Sequence, residues 1–399
     1  MFSRHSRLIA ALAVAAAGFG WSSAHAQAAA AVQHAKGGVY HVQVCPGPAN
    51  AGSARCHAHV VTDSAGHPIV TNANSGPSGY WPADLQSAYS VSGSGDGTVT
   101  VAIVDAYGYP NAEKDLAAYR NRFGLPACTT ANGCFKKVNQ TGVQGSYPRM
   151  NTGWAQEQAL DLDMVSAMCP NCKILLVQAS SATYGNLATA VRTAAKMGAH
   201  VISNSYGGSE SGSSTYESAY NQAGVAVTVS TGDSGYGVQF PASSNHVVAV
   251  GGTSLTQTVT TRGWSETVWS GAGSGCSTVY SQPGWQAGVV SSCSKRALAD
   301  VSAVADPNTG VAVYGPVTPK ISGWMVFGGT SVAAPLIGGL YGVNGGAVNA
   351  AQQPYNNVSA LNDVTSGSNG SCSGSALCTA KQGWDGPTGL GTPIDSTAF

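Results

Sequence analysis

Apolar, β-branched segments alternate with segments of helical character through the middle of this 399-residue chain. Strands are predicted at 98–105, 174–179, 199–203, 225–230 and 246–250. Helices are predicted at 112–123, 154–168, 185–197 and 213–223. Apolar strands that alternate with helices are typical of a mostly parallel sheet with helices on both faces. The pattern therefore predicts an α/β fold with its functional side chains at the carboxyl ends of the strands.

The two ends of the chain differ in character from this middle part. Residues 1–26 are typical of a secretory signal peptide, because Arg4 and Arg7 precede an apolar run and Ala24-His25-Ala26 offers a cleavage site. Residues 27–79 contain no long periodic element and are predicted to form a short leader or N-terminal extension. Residues 80–399 are predicted to form the folded domain. We therefore expect a protein that is secreted, or periplasmic in a host with an outer membrane.

Ten cysteines agree with export, because disulfides persist in oxidising compartments. Pairing between sequence neighbours is the simplest arrangement: Cys45/Cys56, Cys128/Cys134, Cys169/Cys172, Cys276/Cys293 and Cys372/Cys378. Spacing alone does not fix connectivity, and the Cys169-Pro170-Asn171-Cys172 pair could instead serve redox chemistry or zinc.

Charge is scarce, since Asp, Glu, Lys and Arg make up 9% of the chain and the formal net charge is zero. No basic patch is present to attract nucleic acid. After the signal, no apolar stretch is long enough to span a bilayer, so we expect no membrane association. A chain with few carboxylates also loses little when they are protonated, which suits acid surroundings.

A serine in Gly328-Gly329-Thr330-Ser331 stands before an apolar run that is predicted to be helical. Pro335 suits the first helical turn, where its missing N–H costs little. A helix N-terminus favours negative charge, which is what a nucleophile that develops an oxyanion needs. The structural alternative is a glycine-rich turn capped by Ser or Thr.

A serine nucleophile needs a base, and no histidine lies in a context typical of a catalytic base. Carboxylates are the alternative. Glu157 and Asp161 are four residues apart, so they lie on one face of the predicted helix and share a proton if both are buried. Asp233 lies in Gly232-Asp233-Ser234-Gly235, a turn directly after a predicted strand. Each feature alone has an ordinary reading, a solvated helix face or a turn aspartate.

Together these motifs, with Ser205-Tyr206-Gly207-Gly208, resemble the sedolisin family of serine-carboxyl peptidases, over roughly residues 80–399. The resemblance implies a subtilisin-like three-layer fold and an acid-acting endopeptidase of protein or peptide substrates, expected to be a monomer. It implies Ser331 as nucleophile, Glu157 as general base and then acid, Asp161 as its orienting partner, and a protonated Asp233 as donor to the oxyanion.

Further positions take their roles from the same resemblance. Ser205, Tyr206, Gly207 and Gly208 would pair with the substrate backbone as an added strand. Asp105, at the end of the first predicted strand, is similar to an acidic position that extends the carboxyl network.

Two aspartates among glycines near the C-terminus suggest a loop for a hard cation, since calcium prefers many oxygen ligands. The resemblance implies one Ca²⁺ ion, held by the side chains of Asp363 and Asp385 and the carbonyls of Val364, Lys381 and Gly383. The alternative is a pair of turn aspartates.

One departure from the family pattern concerns residues 27–79, which are shorter than the usual propeptide. This length argues against prodomain-assisted folding and self-activation. Two other functions stay open at this stage. One is a catalytically silent binding or surface protein on a subtilisin-like scaffold, and the other is a neutral subtilase with a histidine base.

Overall fold

The computed structural model describes residues 31–34, 38–47, 49–71, 76–346 and 349–399. The predicted signal peptide, residues 1–26, lies outside the described residues. Within the ranges that are described, no helix is both long and apolar enough to cross a membrane.

The described chain contains strands and helices that follow one another in the alternating order expected. The helices are α1 Pro82–Ala88, α2 Ala112–Arg122, α3 Thr152–Met168, α4 Tyr184–Lys196, α5 Ser214–Glu217, α6 Gly284–Ala287, α7 Thr330–Val343 and α8 Gln353–Asn356. The strands are β1 Gln33–His34, β2 Tyr40–Gln43, β3 Arg55–Cys56, β4 His59–Thr62, β5 Thr100–Ala106, β6 Phe135–Asn139, β7 Lys173–Ala179, β8 Val201–Asn204, β9 Tyr206–Gly207, β10 Ala226–Ser230, β11 Val248–Gln257, β12 Trp264–Val268, β13 Gly275–Ser281, β14 Lys295–Leu298, β15 Val301–Val304, β16 Val311–Thr318, β17 Ile321–Gly328, β18 Leu361–Asn362 and β19 Thr392–Pro393.

The central sheet has eight strands in the order β12-β11-β10-β8-β5-β7-β6, with β15 paired to β11. Every pairing is parallel except that of β12 with β11. Side chains of β5 alternate between two buried clusters. Val101 and Ile103 pack with α3 and α7, and Ala102 and Val104 pack with α4. The predicted three-layer α/β fold is confirmed.

A second sheet joins part of the N-terminal extension to the folded domain. Its five strands have the order β1-β2-β4-β17-β16. Strand β4 runs antiparallel to β17, with Val60 opposite Phe327 and His59 opposite Gly328. Because β17 leads directly into α7, this sheet brings residues 55–62 beside Ser331.

Two local predictions differ from the structure. The helix predicted at 213–223 is reduced to α5, and the residues beyond it form tight turns, including bonds from Ala219 N to Tyr216 O and from Tyr220 N to Glu217 O. Short polar side chains compete for backbone hydrogen bonds, which explains why this serine-rich segment does not extend as a helix. Pro335 lies inside α7 and not in its first turn, because the helix already begins at Thr330.

The five disulfides predicted from neighbouring cysteines are all confirmed. They join Cys45–Cys56, Cys128–Cys134, Cys169–Cys172, Cys276–Cys293 and Cys372–Cys378. All ten cysteines are thereby paired, including Cys169 and Cys172. A zinc site at that position would need free thiolates, which the Cys169–Cys172 disulfide does not leave.

Candidate active site

Ser331 is the second residue of α7, where the free backbone N–H groups of the helix favour negative charge. The helix begins after Gly329, whose φ of 101° is unfavourable for residues with a side chain. The Ser331 side chain is buried, and its Oγ donates a 3.4 Å hydrogen bond to the Ser205 carbonyl. The glycine turn therefore places the Ser331 hydroxyl at a helix N-terminus, as expected from the sequence.

Glu157 and Asp161 lie one turn apart on α3, and both are fully buried. The helix begins where Asn151 accepts a hydrogen bond from the Trp154 amide. Burial and the charge of Asp161 raise the pKa of Glu157 well above its usual range, and burial does the same to the pKa of Asp161. The raised pKa values favour a protonated pair over two charged carboxylates.

Glu157 lies beside Ser331, and Asp161 is linked to Ser331 through Ser205. The Ser331 side chain is close enough to lower the pKa of Glu157, although no hydrogen bond of ordinary length joins the two. Asp161 Oδ1 accepts a 2.8 Å hydrogen bond from Ser205 Oγ, and the Ser205 carbonyl accepts from Ser331. Ser205 thus links the carboxyl pair to the serine.

Asp105, at the carboxyl end of β5, extends this group of carboxyls. Its side chain is fully buried, and neither of its oxygens has a hydrogen-bond partner in the described part of the chain. Burial, followed by the charges of Asp161 and Glu157, raises the pKa of Asp105 well above its usual range. Burial, and for Asp105 and Glu157 also the charge of a neighbouring acid, raises the pKa values of these three acids, and raised pKa values favour the protonated carboxyls that acid–base chemistry by carboxyls requires.

Asp233 follows β10 and lies at the start of α7. Its Oδ1 accepts hydrogen bonds from the backbone N and from the Oγ1 of Thr330, at 2.8 and 2.7 Å. Its Oδ2 lies 3.4 Å from His59 Nε2. Burial by itself would raise the pKa of Asp233, but His59, His57 and the Thr330 amide outweigh it and lower the pKa. The protonated state expected of Asp233 is therefore not favoured while His59 stands beside it.

The histidines near this site come from the N-terminal extension, where no functional residue was predicted. His57 and His59 are both buried, and His41 Nδ1 lies 2.8 Å from His59 Nδ1. His57 contacts Ser230 Oγ at 2.7 Å and Gln239 Oε1 at 3.0 Å. Two features of the sequence could have pointed to this segment as part of the site. They are the apolar run that follows His59 and the disulfide-forming Cys56.

Ser205 lies beside Ser331, and a strand of this chain already pairs with Tyr206 and Gly207. Strand β3 runs antiparallel to β9, with Arg55 opposite Gly207 and Cys56 opposite Tyr206. Gly208 pairs instead with Phe240 through two 2.9 Å backbone hydrogen bonds. The edge predicted to receive a substrate backbone is thus able to add a strand.

Asp363 and Asp385 are brought together in the C-terminal loops. Asp363 Oδ2 accepts from the Gly383 amide at 2.8 Å, and Asp385 Oδ2 accepts from the Lys381 amide at 3.1 Å. Burial is the main cause that raises the pKa of Asp385 to about 7, and the charge of Asp363 adds to it.

The same loops offer further oxygen atoms. In the part of the chain that the structure describes, the carbonyls of Val364, Lys381 and Gly383 accept no hydrogen bond. Carboxylates and unbonded carbonyls are the kinds of oxygen ligand that a hard cation prefers. No cluster of three or more His, Cys, Asp or Glu side chains with metal-binding geometry occurs among the described residues.

Comparison with known proteins agrees with this geometry. Residues 150–344 match the Subtilase family. Kumamolisin from Bacillus sp. (strain MN-32) is 31% identical over 385 residues, an alignment that covers 86% of this chain and 67% of kumamolisin. Sedolisin from Pseudomonas sp. (strain 101) is 33% identical over 202 residues, which cover 42% of this chain and 33% of sedolisin.

A solved structure is similar to this chain over most of the fold. Pseudomonas sedolisin, a serine-carboxyl proteinase complexed with two molecules of pseudo-iodotyrostatin, matches with a TM-score of 0.66 and 27% sequence identity. The match covers 80% of this chain and 96% of that chain. The chain therefore belongs to the sedolisin family of serine-carboxyl peptidases and has its subtilisin-like fold.

Proposed function

We propose that the protein is a secreted endopeptidase that acts in acid and hydrolyses peptide bonds through an acyl-enzyme on Ser331. The observation that carries this proposal is that a buried serine hydroxyl at a helix N-terminus lies beside the buried Glu157, which is one helical turn from the buried Asp161. Five disulfides support export to an oxidising compartment. We expect a monomer that acts on protein or peptide substrates.

The proposed roles follow from position. Glu157 accepts the Ser331 proton during attack and later returns a proton to the leaving nitrogen. Asp161 influences whether Glu157 is protonated, and a hydrogen bond from Ser205 positions Asp161. The charge of Asp105 helps to keep a proton on the pair of Glu157 and Asp161. Asp233 in its protonated form donates to the oxyanion, next to the N-terminus of α7.

The neutral subtilase alternative lacks a histidine base. The nitrogens of His57 contact Ser230 and Gln239, and those of His59 face His41 and Asp233. In the described ranges no histidine is hydrogen-bonded to Ser331. A base built from carboxyls is therefore the better account of this site.

Calcium is the proposed ligand of the C-terminal loops. Asp363 and Asp385 would hold one Ca²⁺ ion together with the carbonyls of Val364, Lys381 and Gly383. The ion would neutralise the two like charges, and it has no part in the chemical steps. Its role is to stabilise the loop that ends the fold.

The test is digestion of an unfolded protein substrate across pH, with the products identified by mass spectrometry. We expect activity to be highest in acid, to be lost in Ser331→Ala and to persist in the exposed control Ser64→Ala. Acylation of Ser331 by a serine-directed inhibitor would exclude the catalytically silent binding protein. Activity that peaks above neutral pH, or that survives in Ser331→Ala, would contradict the proposed function.

A further inference from the structure

The Asp233 carboxyl is sealed from solvent, although its proposed role requires it to take up a proton in acid. Its side chain has no exposed surface. Its Oδ1 already accepts hydrogen bonds from the backbone N and the Oγ1 of Thr330. Thr330 Oγ1 in turn accepts from the Gly232 amide at 3.1 Å, so its own hydrogen is directed to Asp233. Oδ2 is therefore the oxygen left to receive a proton, and bulk water has no direct contact with it.

Asp233 Oδ2 faces a pair of histidines. It lies 3.4 Å from His59 Nε2, and the described part of the chain gives Oδ2 no other polar partner. On the far side of the ring, His59 Nδ1 lies 2.8 Å from His41 Nδ1. The three side chains form a continuous row of hydrogen-bonding atoms that runs from His41 through both nitrogens of His59 to Asp233.

Pairing of β2 with β4 brings the two rings together. His41 is opposite Val61 and His59 is opposite Gln43, so the histidines occupy diagonal positions on one face of the ladder. Side chains of this size reach each other across a diagonal of an antiparallel pair. Strand β4 lies between β2 and β17, and there His59 is opposite Gly328. The sheet therefore holds His59 at the entrance to α7, beside Asp233.

The outer end of this row opens into a cavity. His41 lines a cavity of about 960 Å³ whose walls are largely polar and include Gln33, Gln43 and Asp306. His41 Nε2 has no hydrogen-bond partner among the residues that the structure describes. A polar cavity of this size has room for many water molecules. A proton can therefore enter the row from water at His41 Nε2.

The ionised form of Asp233 determines the tautomers of both rings. A carboxylate only accepts hydrogen bonds, so His59 Nε2 carries the hydrogen that points to Asp233. A neutral ring has one N–H, which leaves His59 Nδ1 to accept from the Nδ1–H of His41. Burial, followed by the neighbouring His59, lowers the pKa of His41 to about 4, so this ring is neutral at neutral pH. Its Nε2 is then bare and faces the cavity.

We propose that His41 and His59 form a proton relay that carries one proton from the cavity to Asp233 Oδ2. This inference rests on the proposed peptidase function, in which a protonated Asp233 donates to the oxyanion. A hydronium ion in the cavity gives a proton to His41 Nε2. His41 Nδ1 then gives its hydrogen to His59 Nδ1, and His59 Nε2 gives its hydrogen to Asp233. Each ring gains one proton and loses one, so both end neutral with exchanged tautomers, and Asp233 becomes the neutral acid.

The charges around the relay draw the proton inward. The other titratable or charged groups near it are His34, Arg55, His57, Glu157 and Asp306. Burial is the largest cause that lowers the pKa of His41, whereas the charge of Asp233 raises it. A proton that enters is therefore attracted toward Asp233 and is not kept on a buried ring. The relay works only while β4 keeps its place between β2 and β17.

The first test detects the tautomers by NMR in Ser331→Ala, with isotope-labelled histidine nitrogens and aspartate carboxyls. At neutral pH we expect His59 to carry its hydrogen on Nε2 and His41 on Nδ1. On acidification both rings should exchange tautomers in the same transition that protonates Asp233. Asp233→Asn should abolish this common transition, and the exposed His67 should take no part in it. The opposite tautomers at neutral pH, or an Asp233 transition that neither ring shares, would overturn the proposal.

The second test measures how fast the proton arrives. Each protein is mixed from neutral into acid buffer in a stopped-flow instrument, and the lag before steady cleavage of a peptide is recorded. In His41→Gln the sealed Asp233 must wait for a local opening of the structure, so we expect a lag at least about tenfold longer than in wild type. The control His67→Gln should keep the lag of wild type.

An Asp233→Asn background provides the matched comparison, because its amide donates without a proton from solvent. Adding His41→Gln to Asp233→Asn should therefore leave the lag unchanged. A lag that His41→Gln does not lengthen in the wild-type background, or lengthens equally in the Asp233→Asn background, would contradict a relay to Asp233.

The two tests also separate this inference from the function on which it rests. The NMR test requires no catalysis, so a common transition in a protein that cleaves no peptide would support the relay and overturn the peptidase function. Cleavage of peptides in acid without exchange of the tautomers would overturn the relay and leave the peptidase function standing.

Discussion

His59 Nε2 lies 3.4 Å from Asp233 Oδ2, and both side chains are fully buried. The contact joins a histidine of the N-terminal extension to the aspartate proposed as oxyanion donor. It lowers the pKa of Asp233 and so favours the ionised form, which cannot donate a hydrogen bond. While residues 55–62 are docked, the site therefore needs acid to protonate Asp233 before it can stabilise an oxyanion. This relationship connects docking of the extension with acid dependence.

The first prediction concerns Asp233→Asn, which keeps a donor without needing a proton. We expect kcat at the acid optimum to fall by less than the roughly 10²–10³-fold that removal of an oxyanion donor costs, because the amide still donates but replaces the acid imperfectly. The relative loss of rate toward neutral pH should be smaller than in wild type, since the donor no longer ionises. The measurement is kcat against pH, with the exposed control Asp63→Asn. A profile parallel to that of wild type would argue against the donor role.

The second prediction concerns acid release of residues 55–62. Burial, as the largest cause, lowers the pKa of both His41 and His57 from the ordinary 6.5 to about 4. The titratable or charged groups around these two rings are His34, Arg55, His59 and Asp233. A lowered histidine pKa means that docking is fully stable above about pH 6.5 and weakens as the pH falls toward 4. The loss is on the order of 3 kcal/mol for the His57 ring and smaller for the His41 ring, because solvent near His41 screens part of its charge.

Hydrogen exchange of the β4 amides in Ser331→Ala, where no cleavage interferes, measures this release. Exchange should accelerate as the pH falls through that window, after correction for the intrinsic rate. His41→Gln should make the dependence shallower, whereas His67→Gln, at a largely exposed side chain, should not. Protection of β4 that is constant down to pH 4 would rule out the histidine mechanism.

The third prediction concerns calcium. An ion that binds the folded loops and not the unfolded chain raises thermal stability, and its affinity falls in acid because its carboxylate ligands must be ionised. We expect a chelator to lower the Tm of Ser331→Ala at neutral pH and to have less effect in acid. Asp385→Asn should abolish the chelator effect, and the exposed control Asp96→Asn should retain it. A Tm that a chelator does not change at any pH would contradict the proposed calcium site.

The fourth prediction concerns a buried ion pair away from the active site. Arg296 donates to both oxygens of Asp300, at 2.7 and 2.5 Å, and both side chains are fully buried. Asp300→Asn leaves the guanidinium charge buried without its partner, so we expect a loss of about 3–5 kcal/mol in the free energy of unfolding.

Denaturant unfolding of this variant in the Ser331→Ala background gives the comparison. Asp63→Asn, in an exposed pair with His67, should leave the free energy of unfolding nearly unchanged. The double variant R296M/D300L should recover much of the loss, because it removes the buried charge together with its partner. An Asp300→Asn variant as stable as the parent would contradict the importance of the pair.

Local sequence determined the framework of this protein. Alternating apolar strands and helices specified the parallel sheet, since burial on both faces demands continuous apolar runs. Spacing of four residues put Glu157 and Asp161 on one face of α3, and the glycine pair before Thr330 started the helix that carries Ser331. Pairing of neighbouring cysteines was the simplest arrangement, but spacing left the connectivity open until the structure showed it.

Only the tertiary structure decided which distant residues contact the side chains of the active site. The contact of His59 with Asp233 spans 174 positions, and that of His57 with Gln239 spans 182. Periodicity and turn signals report on neighbours within one helical turn or one strand, so no local pattern could place residues 55–58 in the cleft. Their position follows from pairing of β3 with β9 and of β4 with β17, and such pairing depends on the register between distant strands.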